Sequence, residues 1–159
     1  MNNAYLLIGG NEGDRIGYLQ QARDHIATHF GQIIQHSFIY ETAAWGKTDQ
    51  PNFLNQVLLI STLLDAPALM QGILDVEKKM GRLRSQKFSQ RTIDIDILFF
   101  NKEIINQSQL VVPHPEIQNR RFVLVPMNEI AAQFIHPVLQ KTIHTLLKEC
   151  MDELDVKKL

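Results

Sequence analysis

A single cysteine, Cys150, is all the thiol this sequence has, which excludes an internal disulfide and a thiolate zinc site. Its place near the end of the sequence reads as packing, and it is assigned no chemistry. No apolar run approaches the twenty or so residues of a membrane span. The opening stretch MNNAYLLIGGNEGD lacks the basic flank and the apolar length of a signal peptide. A cytoplasmic protein with no membrane partner is therefore expected. Neither charge sign is in excess, with 16 Lys and Arg against 17 Asp and Glu. No overall positive field would recruit nucleic acid, and any anion site has to be local. There is no internal repeat, no low-complexity stretch and no phosphate-loop or dinucleotide glycine spacing. The glycines of IGGN (8–11) read instead as a turn at a strand end.

What is present suits one domain. A chain of 159 residues, 45% of them hydrophobic, can bury one good core, so residues 1–159 are taken as a single domain. AYLLIGGN (4–11) reads as a buried strand. Asp14 suits the N-cap of a helix carrying Ile16, Leu19, Ala22 and Ile26 at helical spacing and ending near Gly31. Segments 32–42 and 52–62 read as strands separated by the loop AAWGKTDQP. A helix over 66–82 has Pro67 in its first turn, Gly81 at its end, and Leu69, Ile73, Val76 and Met80 on one face. A strand over 92–100 and an edge segment near KEIINQS follow. The prolines of VVPHPEIQNRRFVLVPMNEIAAQFIHP allow only short helical pieces. The order β-α-β-β-α-β predicts an α+β, ferredoxin-like sandwich, a mainly antiparallel sheet with helices on one face. That architecture fixes no function.

One stretch is chemically odd. In SQRTIDIDILFFN (89–101), Ile93, Ile95 and Ile97 alternate with Asp94 and Asp96. On a strand the isoleucines face the core, while the aspartates share the other face with Cα atoms roughly 6.5–7 Å apart. Such a pair repels itself unless a cation intervenes. For so short a pattern, a solvated strand face of alternating polarity is the commoner explanation. The surroundings tilt the balance: Arg82, Arg84 and Arg91 lie upstream, and His114, Arg120 and Arg121 lie downstream. Carboxylates that hold Mg²⁺, beside guanidinium groups, suit a polyphosphate. Taken singly, each arginine fits a surface salt bridge as well.

IGGNEGD, YETAAWGKTDQPNFLN, EKKMGRLR, RTIDIDILFF and VPHPEIQNRRFVLVPMNEI occur in the order and approximate spacing of 6-hydroxymethyl-7,8-dihydropterin pyrophosphokinases, enzymes of folate biosynthesis. The sequence resembles that family over nearly its whole length. The resemblance implies transfer of the β,γ-pyrophosphoryl group of ATP to the pterin hydroxymethyl group, with release of AMP. It implies two Mg²⁺ ions on Asp94 and Asp96, and catalytic roles for Arg82, Arg91 and His114. The nucleotide side would comprise Glu77, Arg84, Phe88, Ile97, His114 and Arg120. The pterin side would comprise Thr42, Trp45, Phe53, Asn55, Asp94 and Phe122, with Phe53 and Phe122 as the sandwiching rings. ATP and the pterin are then the partners, with no obligate protein partner.

Each residue also has a plainer reading. Phe53 and Phe122 sit in apolar runs and suit a core. Asn55 needs a hydrogen-bond partner, local or ligand-borne. His114 lies between prolines in a loop that suits exposure, and Trp45 suits a hydrophobic plug. The chain also departs from the family pattern. TAAWG (42–46) lacks prolines common in relatives, KFSQR (87–91) replaces W-G-P-R, and Gln109 stands where some relatives have arginine. Segment LRSQKFSQ (83–90), between Arg82 and Arg91, is expected to be mobile without substrates. A non-catalytic nucleotide- or RNA-binding module, or another Mg²⁺-dependent phosphotransferase, are the rival readings. Near-neutral charge disfavours RNA, and another phosphotransferase does not account for Phe53, Asn55 and Phe122 together.

Overall fold

Period-two apolar runs alternate with helical ones, and their order sets the architecture. The computed structural model describes residues 1–43, 50–81 and 92–159. Strand β1 (Asn2–Gly10) leads to helix α1 (Arg15–His29), started by Asp14, whose side chain accepts from the N–H of Gly17. Strands β2 (Gly31–His36), β3 (Tyr40–Thr42) and β4 (Phe53–Thr62) follow. Helix α2 (Ala66–Lys79) is capped by Asp65 and has Pro67 in its first turn. Gly81, at φ +85°, takes the left-handed backbone that terminates it. Strand β5 (Asp94–Phe100) completes a β-α-β-β-β-α-β series, one strand more than the predicted order.

The main sheet runs β5-β1-β4-β3, with β2 also on β4 and every pairing antiparallel. The α+β class and sandwich topology are as predicted. The segment read as one strand over 32–42 is two. At Ser37 the side-chain hydroxyl, not a carbonyl, accepts the N–H of Val57, and the Ser37 carbonyl accepts from the Gln56 amide. Those substitutions interrupt the ladder between β2 and β3. The glycines 9 and 10 lie inside β1, not in a turn after it, because they pair with Asn55 and Leu54 of β4.

Both faces of the sheet are covered. Leu6, Ile8, Leu54, Leu58, Ile95 and Ile97 pack under Leu19, Ala22 and Ile26 of α1 and Leu69, Ile73 and Val76 of α2. The opposite face carries a second apolar layer: Leu7, Val57, Leu98 and Phe99 meet α3 (Arg121–Ala131) and α4 (Ile143–Glu149) through Val123, Leu124, Met127, Ile143 and Leu146. Helices on one face alone were expected; the second layer comes from residues 117–150, where α4 left no strong periodicity. Cys150 packs against this layer, as its reading required. A β-bulge in the β1–β5 pairing, between the pairs Tyr5↔Phe99 and Leu6↔Ile97, shifts the alternation, so Leu98 and Phe99 both serve the second layer.

The segment near KEIINQS is not an edge of the main sheet. It forms β6 (Ile105–Gln107), paired with β7 (Leu110–Val112) in a separate two-stranded sheet. The proline-rich stretch holds an 11-residue helix, α3, with Pro126 inside it, longer than expected. One backbone hydrogen bond is lost there, but Val123, Leu124 and Met127, each almost fully buried, hold the helix to the sheet. Strand β8 (Val156–Lys158), not foreseen, pairs with β3 at the sheet edge. Among the described residues, no helix is long and apolar enough to cross a membrane.

Candidate active site

The alternation in β5 does what its sequence demanded. Ile93, Ile95 and Ile97 are buried in the layer under α1 and α2, while Asp94 and Asp96 are half-buried on the other face. Strand register then builds the site. Asp94 stands opposite Gly9, Gly9 opposite Asn55, and Asn55 opposite Tyr40, one row across β5, β1, β4 and β3. Directly opposed residues share a face, so an acid, a gap, an amide and a phenol line up. In the neighbouring row Asp96 stands opposite Leu7, and Phe53 stands opposite Thr42 at the far end of β4.

Gly9 is the piece that residue-type reasoning missed. A Cβ placed there would lie 2.1 Å from Asn55 Oδ1 and 2.7 Å from the Leu54 carbonyl oxygen. The missing side chain is the space in which the Asn55 amide lies, leaning along the row toward β5. Asn55 is only 5% exposed. Thr42 is buried as well, and its hydroxyl oxygen has no hydrogen-bond partner among the described residues. A buried hydroxyl left unsatisfied costs about 1–3 kcal/mol.

Helix α3 roofs this end of the row. Phe122 is half-buried at its start and packs against the second apolar layer, with the Arg120 guanidinium 5.7 Å from its ring centroid. Glu129, farther along α3, accepts from the Tyr40 hydroxyl at 2.6 Å and from the N–H of Phe38 at 3.1 Å. Burial and the adjoining carboxylate push the Tyr40 hydroxyl up to about 12, so it stays a donor. This clasp fixes α3 over β3.

His114 approaches from the other side. Its N–H donates to the Leu98 carbonyl, which ties the loop onto β5. Its Nδ1 accepts from the N–H of Glu116 at 3.1 Å, so the neutral ring carries its proton on Nε2. Burial, then the neighbouring Arg120 charge, lower its pKa below the usual imidazole range, against opposing pulls from Asp94 and Glu116. The His114 ring thus senses the charges of both Arg120 and Asp94.

Other candidates fall elsewhere. Glu77, on α2, is buried and accepts from the N–H of Ile95 at 2.8 Å, bracing β5 between its two aspartates. The Ile97 side chain belongs to the layer under α1 and α2, so the structure does not bring it to the row. Trp45, Arg82, Arg84, Phe88 and Arg91 lie outside the described residues, as does the segment expected to be mobile. Two residues given no role above, Asn11 and Arg15, hold residues 50–52 ahead of β4. Asn11 donates to the Gln50 side chain and the Pro51 carbonyl, and Arg15 to Glu41 and the Asn52 carbonyl.

Sequence comparison decides the family. The profile described as 7,8-dihydro-6-hydroxymethylpterin-pyrophosphokinase (HPPK) matches residues 5–132. The chain belongs to the HPPK family. A protein of Aquifex aeolicus named 2-amino-4-hydroxy-6-hydroxymethyldihydropteridine pyrophosphokinase is 41% identical over 143 residues, covering 90% of this chain and 89% of that protein. One of the same name from Bacillus subtilis is 43% identical over 135 residues, 84% of this chain and 81% of that protein. A solved Plasmodium falciparum HPPK-DHPS triple mutant matches in fold, with TM-score 0.76 and 20% identity over 93% of this chain. The chain spans 43% of that longer one. HPPK-family chemistry is pyrophosphoryl transfer from ATP to the hydroxymethyldihydropterin in folate synthesis.

Proposed function

We propose that this chain performs the HPPK reaction in the cytoplasm as one domain, with the Asp94–Gly9–Asn55–Tyr40 row as its centre and no obligate protein partner. In that transfer the pterin hydroxymethyl oxygen bonds to the β-phosphorus of ATP, the link to the α,β-bridging oxygen breaks with its electrons leaving on AMP, and the hydroxyl proton is released. The observation that carries the reading is the placement of an amide, over a glycine gap, in register with a paired carboxylate. A flat ligand with a hydrogen-bonding edge and a phosphate chain needs both.

Mg²⁺ fits this donor set. Asp94 and Asp96 are hard oxygen ligands, and no group of three His, Cys, Asp or Glu able to hold a metal occurs among the described residues. Mg²⁺ is commonly bound by one or two carboxylates plus substrate phosphates. Asp94 and Asp96 would hold two such ions, which when bound supply charge neutralisation on the transferring phosphates. The chain's own groups do the rest. Asn55 and the Thr42 hydroxyl hydrogen-bond the pterin edge, with Trp45 beside them. Phe53 and Phe122 flank its faces. Protonated Nε2 of His114, with Arg120, donates to phosphate oxygens. Arg82 and Arg91 are assigned to charge developing on the phosphates, and Arg84, Phe88 and Glu77 to the nucleotide side. Ile97 would contribute only main chain.

An AMP-formation assay with ATP, Mg²⁺ and reduced hydroxymethylpterin tests the proposal. Asp94→Ala and Asp96→Ala should each lower turnover by several orders of magnitude while the protein stays folded. EDTA should silence the intact enzyme and Mg²⁺ restore it. Near-normal turnover in either folded variant would reject the metal role.

A further inference from the structure

Helix α3 has no cap of its own: Arg120, at the N-cap position, offers no side-chain hydrogen bond. The cap comes from thirty-one residues away in sequence. Asp152 Oδ2 accepts from the N–H of Arg121 at 3.0 Å, and its Oδ1 accepts from the N–H of Leu154 at 3.0 Å. Both carboxylate oxygens are thereby fixed, and a negative charge sits at a helix N-terminus, where it is favoured. A few residues on, β8 pairs with β3 through Val156↔Thr42, Lys157↔Glu41 and Lys158↔Tyr40. Beyond it the N–H of Leu159 donates to the Ile39 carbonyl, and Lys158 Nζ lies 4.2 Å from the Phe38 ring centroid.

Residues 152–159 therefore hold two things at once. One end grips the turn that aims Arg120 and Phe122; the other lines the outer edge of the strand that carries Thr42. Both border the site assigned above to the pterin, Phe122 on one face and Thr42 at the hydrogen-bonding edge. The segment lies beyond residue 132, where the family match stops.

We propose that Asp152 is a positioning residue for pterin recognition, and that residues 152–159 act as a strap setting the spacing between Phe122 and Thr42. The proposal rests on the pterin assignment of Phe122. Among the described residues the strap bonds to the N–H of Arg121 and to the backbone of residues 39–42, beside the groups assigned to the pterin, so its effect is expected chiefly on the pterin.

Titration of Asp152→Ala with 6-hydroxymethyl-7,8-dihydropterin, at saturating α,β-methylene-ATP, tests it. The pterin Kd should rise about three- to tenfold, the range expected if loss of a helix cap is expressed in the pocket. Affinity for α,β-methylene-ATP alone should stay within about twofold. Asp152→Asn, which keeps an oxygen acceptor, should recover most of the pterin affinity. A lowered melting temperature with unchanged pterin affinity would make Asp152 a cap and nothing more, and would overturn the proposal. Equal losses for both ligands would overturn it too. Phe122→Ala, run in parallel, separates the two layers of reasoning. If Phe122→Ala leaves pterin binding intact, the pocket assignment itself fails. If it weakens pterin binding and Asp152→Ala does not, only the strap fails. In the unaltered chain, pterin should slow amide exchange at Arg121 and across β8 together; unchanged exchange in β8 would count against the strap.

Discussion

Gly9→Ala is a one-carbon test of how the site is assembled. The added Cβ would meet Asn55 Oδ1 at 2.1 Å and the Leu54 carbonyl oxygen at 2.7 Å, where ordinary contact begins at 3.4 Å. The amide has to retreat by roughly 1.3 Å and the β4 backbone by roughly 0.7 Å to reach ordinary contact. The first movement is a side-chain rotation; the second strains the β1–β4 ladder. Overpacking of this kind costs about 1–3 kcal/mol of stability. Displacing Asn55 would forfeit the hydrogen bonds proposed between its amide and the pterin edge, about 1–3 kcal/mol for two neutral bonds, which is roughly a 5- to 150-fold rise in the pterin Kd. Chemical denaturation and calorimetric titration with the pterin measure the two losses separately. Adding Asn55→Ala to Gly9→Ala should return much of the stability, because the amide no longer collides, and none of the affinity. Full pterin affinity in folded Gly9→Ala would refute the reasoning: either the amide does not occupy that gap or it does not read the ligand.

Phe122→Ala should weaken pterin binding by about 1–3 kcal/mol, by analogy with aromatic stacking on bases, and leave ATP-analogue binding nearly unchanged in calorimetry. Arg82→Ala and Arg91→Ala should lower kcat at least about a hundredfold while affinity for a non-hydrolysable ATP analogue stays within about tenfold, the mark of interactions made mainly in the transition state. Retained kcat with lost affinity would make them static anchors. Acid should expose His136, whose buried Nδ1 accepts from the N–H groups of Val138 and Leu139. Burial lowers its pKa below the ordinary 6.5, so the unfolded chain binds the proton more readily. Its stabilising contribution is complete above about 6.5 and is lost as pH falls toward the lowered value, by at most about 1.4 kcal/mol per pH unit. Denaturation midpoints at pH 7.5 and 5.5 should differ less in His136→Asn than in the parent; equal pH sensitivity would assign the acid loss to other groups.

Legibility in the sequence followed the range of the interactions. The Asp94–Asp96 alternation, the Asp14 cap and the Gly81 stop are local, and local rules found them. Ser37 looks like any strand residue until Val57 and Gln56 are placed against it, so the break between β2 and β3 was invisible. Gly9 was misread for the same reason: a glycine that makes room for a side chain on the next strand resembles a glycine that makes a turn. The roles expected of the two phenylalanines and Asn55 rest on resemblance; their residue types alone favoured a core or left the matter even. Asp152 and Glu129 had no signal, since each acts on backbone groups far away in sequence. Pro126 argued against a helix that tertiary burial sustains.

The placing of β1 between β4 and β5 has a consequence for synthesis. Its apolar run YLLIGG finds one neighbour once Thr62 has been made, but its other edge stays open until Phe100 arrives. At elongation rates of about 5–20 residues per second that interval lasts on the order of seconds, during which a nascent chain displays an unpaired hydrophobic edge of the kind that recruits chaperones or other nascent chains. The strand that closes the edge is the one bearing Asp94 and Asp96. Sealing the vulnerable edge and delivering the two carboxylates to their places are therefore one event.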